Sequence, residues 1–370
     1  MKDLLRKLIQ ADSTPAHGES AAAEVIAGWF QQHGIACAVD RWDGDRANVT
    51  AHVRSAGRKP ALLFVCHLDV VGAGQEAWEH LPFAAVEEDG RICGRGAADM
   101  KGGIASVVTA ICEVVDSGVA LQGDIIFAAT AGEETDSAGA KRFMRDRAWL
   151  PPLAGVVVPE PTDFAVVTAH RGLFWLKITT QGKAVHSSMP ERGINAIGSM
   201  KHVLDELDRY RIPCEPHPRL GKCSLSVNTI QGGVAMNMVP DQCILGVDIR
   251  TLPGQDHDAI RNDIECILAK LKTTAPPFDA ELAVERSVQA METDPACPFV
   301  KAFCSAVGAD LTNVVGYTTD APHLVPLGAP IVIYGPGKPK MCHQVDEYID
   351  IADLEKGADV FTRIIRRFLT

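Results

Sequence analysis

Four apolar segments of this chain each run into a side chain that can hold a metal. They are Leu62-Leu63-Phe64-Val65-Cys66-His67-Leu68-Asp69, Ile125-Ile126-Phe127-Ala128-Ala129-Thr130-Ala131-Gly132-Glu133-Glu134, Val156-Val157-Val158-Pro159-Glu160, and Ile331-Val332-Ile333-Tyr334-Gly335 leading on to His343. Short apolar runs between polar residues predict buried strands of a mostly parallel sheet. Ligands of open α/β sheets bind beyond the carboxyl ends of such strands. Each junction alone is ordinary, because a histidine after a strand is more often structural and two adjacent glutamates more often solvated. Their joint occurrence, with Asp99 beside the helix start Gly102-Gly103, predicts one buried metal centre gathered from distant sequence.

The rest of the pattern predicts two domains, as 370 residues lead one to expect. Residues 1–171 and 291–370 alternate strands and helices: helices over 1–9, 21–33, 102–118, 298–307 and 353–368, strands over 61–66, 124–129, 155–158 and 330–334. Between them, residues 172–290 read strand, helix, strand, strand, helix, strand, the ferredoxin-like split βαβ order. The fold class is therefore α/β, a mostly parallel metal-binding domain with a ferredoxin-like (βαββαβ) insertion. A net charge of −11 argues against nucleic acid, and no apolar run reaches the roughly 20 residues needed to span a bilayer. The eleven cysteines are scattered without a CxxC pair, which predicts free thiols and a cytoplasmic home.

The ligand inventory is His67, His343, Asp99, Glu134 and Glu160. Imidazole and carboxylate without thiolate suit catalytic Zn²⁺ or a similar ion. Five side chains exceed one open tetrahedral site and suit two ions sharing a bridging carboxylate. Three carboxylates leave two dications at net +1, which one bridging hydroxide neutralises. Asp69 is placed to accept the second ring N–H of His67. Of the adjacent Glu133 and Glu134, one can bind metal while the other moves a proton as general base.

These residues resemble a family. His67-Leu68-Asp69-Val70-Val71, Gly94-Arg95-Gly96-Ala97-Ala98-Asp99-Met100-Lys101-Gly102-Gly103, Ala131-Gly132-Glu133-Glu134 and Glu160-Pro161-Thr162 are similar to the co-catalytic zinc amidohydrolases, which include acetylornithine deacetylase, succinyl-diaminopimelate desuccinylase and glutamate carboxypeptidases. The resemblance implies two Zn²⁺, with Co²⁺ able to substitute. It implies that His67 and Glu160 hold one ion and Glu134 and His343 the other, with Asp99 bridging, Asp69 orienting His67 and Glu133 as the base. It also makes the insertion a lid and homodimer interface, whose His186, in Ala184-Val185-His186-Ser187-Ser188, enters the partner subunit's site and stabilises the oxyanion.

Asn237 and Arg250 match substrate-contacting positions. Thr319-Asp320-Ala321-Pro322 and Gly335-Pro336-Gly337 lean toward the deacetylase, with Asp320, Gly337 and Lys338 near the substrate. Lys338 and Asp320 stand where the deacetylase-like pattern has Ser and Glu, which leaves the acyl group and the amine open. The expected reaction is hydrolysis of the amide of a small N-acyl amino acid. A desuccinylase, or a carboxypeptidase or dipeptidase on the same scaffold, is the alternative, and a non-catalytic binding protein a more distant one.

Overall fold

The computed structural model describes residues Met1–Thr370. They form two compact units, Met1–Thr168 with Glu292–Asn313 and Thr319–Thr370, and Ala169–Met291 with Val314–Thr318. The boundaries fall at 168/169 and 291/292 instead of 171/172 and 290/291, and a short later segment joins the second unit.

In chain order the elements are α1 (Lys2–Gln10), α2 (Ser20–Gln32), β1 (Cys37–Trp42), β2 (Arg46–Val53), β3 (Ala61–His67), β4 (Val86–Glu88), β5 (Arg91–Cys93), α3 (Gly102–Asp116), β6 (Ile125–Thr130), α4 (Ala138–Arg145), β7 (Leu153–Val158) and β8 (Val167–His170). The second unit follows with β9 (Gly172–Gln181), α5 (Ala196–Leu207), β10 (Ser224–Gly232), β11 (Gln242–Thr251), α6 (His257–Thr274) and β12 (Asp279–Val288). The chain returns through β13 (Met291–Glu292), α7 (Pro298–Val307), β14 (Asn313–Val315), α8 (Ala321–Leu324), β15 (Ile331–Ile333), β16 (Tyr348–Asp350) and α9 (Ile351–Leu369).

The main sheet runs β1-β2-β6-β3-β7-β15. Its central strands β6, β3, β7 and β15 are mutually parallel, so the four apolar runs of the sequence lie side by side. Every residue of β3, β6 and β15 is buried, which explains their continuous hydrophobicity. On one face, α3 packs with its Ile104, Val107, Val108, Ile111 and Val114 wholly inside. Phe361 of α9 meets Phe64 of β3 edge-on at 5.9 Å. The antiparallel hairpin β1–β2 was not expected. Its signal was the turn Asp43-Gly44, both at positive φ (45° and 80°).

The second unit has an antiparallel sheet in the order β10-β11-β9-β12, the ferredoxin-like arrangement. Period-two alternation builds it. Phe174, Leu176 and Ile178 of β9 are buried in one cluster with Met200 and Val203 of α5 and Ile260 and Ile264 of α6, while Trp175 between them is 39% exposed on the opposite face. The structure pairs Cys214 with Cys223 in this unit, against the expectation of free thiols throughout, and leaves the other nine cysteines free. No helix is long and apolar enough to cross a membrane.

Candidate metal centre

The ends of the four parallel strands carry the predicted ligands. His67 is the last residue of β3, Glu133 and Glu134 lie in the turn after β6, and Glu160 is two residues beyond β7. His343 follows β15 through a loop and adopts a positive φ of 62°, a conformation uncommon for residues other than glycine. Asp99 enters from a non-helical turn before α3, in which the Asp99–Met100 peptide is cis. Glu160 is held close by backbone contact, because a Cβ on Gly103 would sit 2.0 Å from the Pro159 carbonyl. That position therefore admits only glycine.

Asp99 lies between two imidazoles. Its Oδ1 is 3.1 Å from His67 Nε2 and its Oδ2 is 3.4 Å from His343 Nε2. Each imidazole has a second acid of its own: His67 Nε2 is 3.8 Å from Glu160 Oε1, and His343 Nε2 is 2.8 Å from Glu134 Oε1. Ligand atoms of His67, Asp99 and Glu134 all lie within 4.8 Å of one another. Two ligands of one tetrahedral zinc stand about 3.3 Å apart, given bonds of about 2.0–2.1 Å. The observed separations bracket that edge, and the donor set is nitrogen and oxygen only, so the residues present fit two dications.

The electrostatics agree. Burial raises Glu133, Glu134 and Glu160, the last to about 7. Burial alone would push the His67 imidazole down, but Glu160 and Asp99 overturn that and hold it well above its ordinary value. Hydrogen bonds to Asp99 and Glu134 raise His343 to about 10. Asp99, which burial would raise, is held below its ordinary range by hydrogen bonds from His343 and His67. Acids crowded this closely in a low-dielectric interior are costly unless a cation neutralises them.

Three expected roles change. The side chain of Asp69 does not take the second ring nitrogen of His67. That nitrogen, Nδ1, is 3.0 Å from the Asp69 backbone carbonyl and 3.7 Å from its carboxylate. The carboxylate instead accepts the backbone N–H groups of Gly132, Glu133 and Glu134 at 2.8, 3.0 and 2.9 Å, so it shapes the turn carrying both glutamates. Lys338 does not serve a substrate end, because its ammonium bonds Asp350 at the start of α9. Gly337 is buried, its carbonyl accepting Asp163 N–H at 2.8 Å, and it braces the Glu160 segment instead of lining open space. Arg250 lies beside Asp248, two residues back on β11, with Nε 2.9 Å and one terminal nitrogen 3.0 Å from its carboxylate, which leaves the other terminal nitrogen to donate elsewhere.

The remaining predicted residues are placed as follows. Asp320 is buried at the start of α8, and its charge is among those that raise Glu133. In the second unit, the segment around His186 pairs with the loop bearing Asn237: Ser187 N–H donates to the Asn237 carbonyl at 2.9 Å and Val239 N–H to that of Val185. His186 is exposed, with Nδ1 on the Ser188 hydroxyl at 2.7 Å. The buried pair Arg95 and Glu347 had no assigned part, although Arg95 lies inside the quoted Gly94-Arg95-Gly96 motif.

Residues 63–367 match the model of peptidase family M20/M25/M40. A probable succinyl-diaminopimelate desuccinylase of Staphylococcus aureus is 31% identical, the match covering 92% of this chain and 90% of that protein. An acetylornithine deacetylase of Erwinia tasmaniensis is 30% identical over 96% and 93%. Among solved structures, an M20-family metallo-carboxypeptidase of Sulfolobus solfataricus superposes with a TM-score of 0.83 at 18% identity, covering 98% of each chain. A dinuclear metal-binding peptidase of Bacillus subtilis does so with a TM-score of 0.70 at 16% identity, covering 98% of this chain and 96% of that one. With its site built from the ends of four parallel strands, this chain belongs to peptidase family M20/M25/M40, a family of metallohydrolases.

Proposed function

We propose that the chain is a dinuclear zinc-dependent amidohydrolase that removes the acyl group from a small N-acyl amino acid. The observation that carries the reading is Asp99, whose two oxygens face two different imidazoles, each with its own glutamate. His67 and Glu160 would hold one Zn²⁺ and Glu134 and His343 the other, with Asp99 available to both. Co²⁺ would take the same ligands. When bound, the ions supply Lewis-acid charge that polarises an acyl carbonyl and lowers the pKa of water. Glu133, buried beside Glu134, takes a proton from the attacking water and hands it to the leaving amine. Asp69 holds Glu133 in place through the turn's N–H groups. His186, contributed by a second copy of the chain, donates to the developing oxyanion.

The second unit acts as lid and homodimer interface, and nine free thiols favour the cytoplasm. Asn237 and Arg250 contact the substrate, and the relatives' names favour an acetyl or succinyl group on a diamino acid. A panel of N-acetylornithine, N-succinyl-diaminopimelate and dipeptides, run on zinc- and cobalt-loaded protein, tests this. Release of acetate or succinate is expected, and turnover of dipeptides alone would move the assignment to a dipeptidase.

A further inference from the structure

Behind Asp99 lies a buried carboxylate that the proposed chemistry does not use. Glu347 has no exposed surface and accepts four hydrogen bonds. Its Oε1 takes the N–H groups of Ala98 and Asp99 at 2.9 and 3.0 Å, and its Oε2 takes the Gly96 N–H at 3.0 Å and the Arg95 guanidinium at 2.7 Å. Arg95, only 3% exposed, also donates to the Gln344 carbonyl at 3.1 Å and covers the Trp78 ring. Glu347 lies four residues beyond His343. One side chain thus ties the turn carrying Asp99 to the loop carrying His343.

We propose that Glu347 is a positioning residue that sets the Asp99 carboxylate between the two halves of the metal centre, an inference that rests on the dinuclear reading above. The turn needs such an anchor. Gly96, Ala98 and Asp99 stand at the start of the turn ahead of α3, so no earlier helical carbonyl serves their amides inside the protein, and Asp99 itself has φ −114° and ψ 99°, outside helical geometry. Both oxygens of Asp99 move together when its backbone moves. A shift there disturbs the contacts to His67 and to His343 at once, whereas changing Glu160 or Glu134 disturbs one side. Gln at 347 keeps one acceptor oxygen and turns an amide donor toward Gly96 N–H and Arg95, or toward the two other N–H groups. Asp keeps the charge but is one methylene short.

The test titrates zinc into chelator-stripped wild type, Glu347→Gln, Glu347→Asp and Glu160→Gln against a chromophoric chelator. Urea unfolding of each metal-free protein is measured alongside. Glu347→Gln should bind both ions roughly 10- to 100-fold more weakly, as loss of a partner behind the ligands usually does. Glu347→Asp should fall between, and Glu160→Gln should weaken one ion only. Wild-type affinities in Glu347→Gln, or a loss confined to one ion, would overturn the inference. So would failure of both Glu347 variants to fold, which would make the residue a demand of the fold and not of the site. Wild type binding fewer than two ions would overturn the dinuclear reading, and the inference with it.

Discussion

In the first unit, His67, Glu133 and Glu160 are buried, and the turns carrying Glu133 and Asp99 are anchored from behind, three amides on Asp69 and three on Glu347. In the second unit, His186 and Asn237 are exposed on paired loops, and the one side-chain partner of the His186 ring is Ser188, two residues away. Groups that must hold cations at fixed spacing need preorganisation by a rigid surround. Groups that meet a substrate after it arrives can be held by local contacts alone. Substitutions in the first unit should therefore act on metal and proton transfer, and those in the second on contacts to the substrate and its transition state.

The largest effect expected is at Glu133. Glu133→Gln removes the proposed proton carrier while leaving the five proposed ligands in place, so kcat should fall about 10²- to 10⁴-fold with metal content unchanged. Metal analysis and steady-state kinetics on one preparation check it. Undiminished kcat would pass the base role to another group.

His186 comes next. Loss of an oxyanion donor costs roughly 10²- to 10³-fold in kcat, so His186→Ala should be nearly inactive with its metal retained. If the histidine acts across a two-fold dimer, mixing His186→Ala with Glu133→Ala restores one complete site in each mixed dimer. Random exchange then gives about a quarter of wild-type activity. No recovery after mass spectrometry has verified mixing would confine His186 to its own chain or to no catalytic part.

How much of this could be read before the fold was known differs between the two units for a physical reason. The proposed ligands follow apolar runs closely, so a strand and its end are a local signal, and proposing His67, Glu134 and Glu160 needed no knowledge of distant partners. The insertion's alternation was equally local, and its strands and helices emerge in the expected order. What stayed hidden depends on which distant group a side chain turns toward. Lys338 reaches Asp350, Asp69 reaches the turn after β6, and Glu347 reaches Gly96, Ala98 and Asp99. None of these has a fixed spacing in sequence, and each reverses or adds a role.

Arg250 gives a smaller test of the same contrast. Its grip on Asp248 is local, so a substrate carboxylate competes with a neighbour already in place. Arg250→Lys loses the two-point geometry and should raise KM about tenfold with kcat nearly kept, the pattern of lost uniform binding. Asp248→Asn should shift KM by a few-fold at most. Unchanged KM in Arg250→Lys would make the pair purely structural and remove the substrate contact from the second unit's open sheet face.

The smallest effect expected is one of pH on the second unit's core. His257 is 3% exposed, stacked on Phe174 at 4.6 Å, with its ring nitrogens 2.8 Å from the hydroxyls of Thr251 and Ser287. Burial lowers it to about 4, against an opposite pull from Asp256 and Asp258. The folded chain therefore keeps this ring neutral while the unfolded chain protonates it near its ordinary value of about 6.5. Its contribution is complete above that value and is lost as pH falls toward 4, because the unfolded state binds the extra proton. Buried His170 is also lowered to about 4 and adds a slope of the same sign. Between pH 7.5 and pH 5 the urea midpoint of His257→Gln should thus shift less toward instability than that of wild type, while His170 keeps its slope in both proteins. Equal slopes in the two proteins would show that His257 is protonated in the fold, and that the second unit's core is wetter than its packing implies.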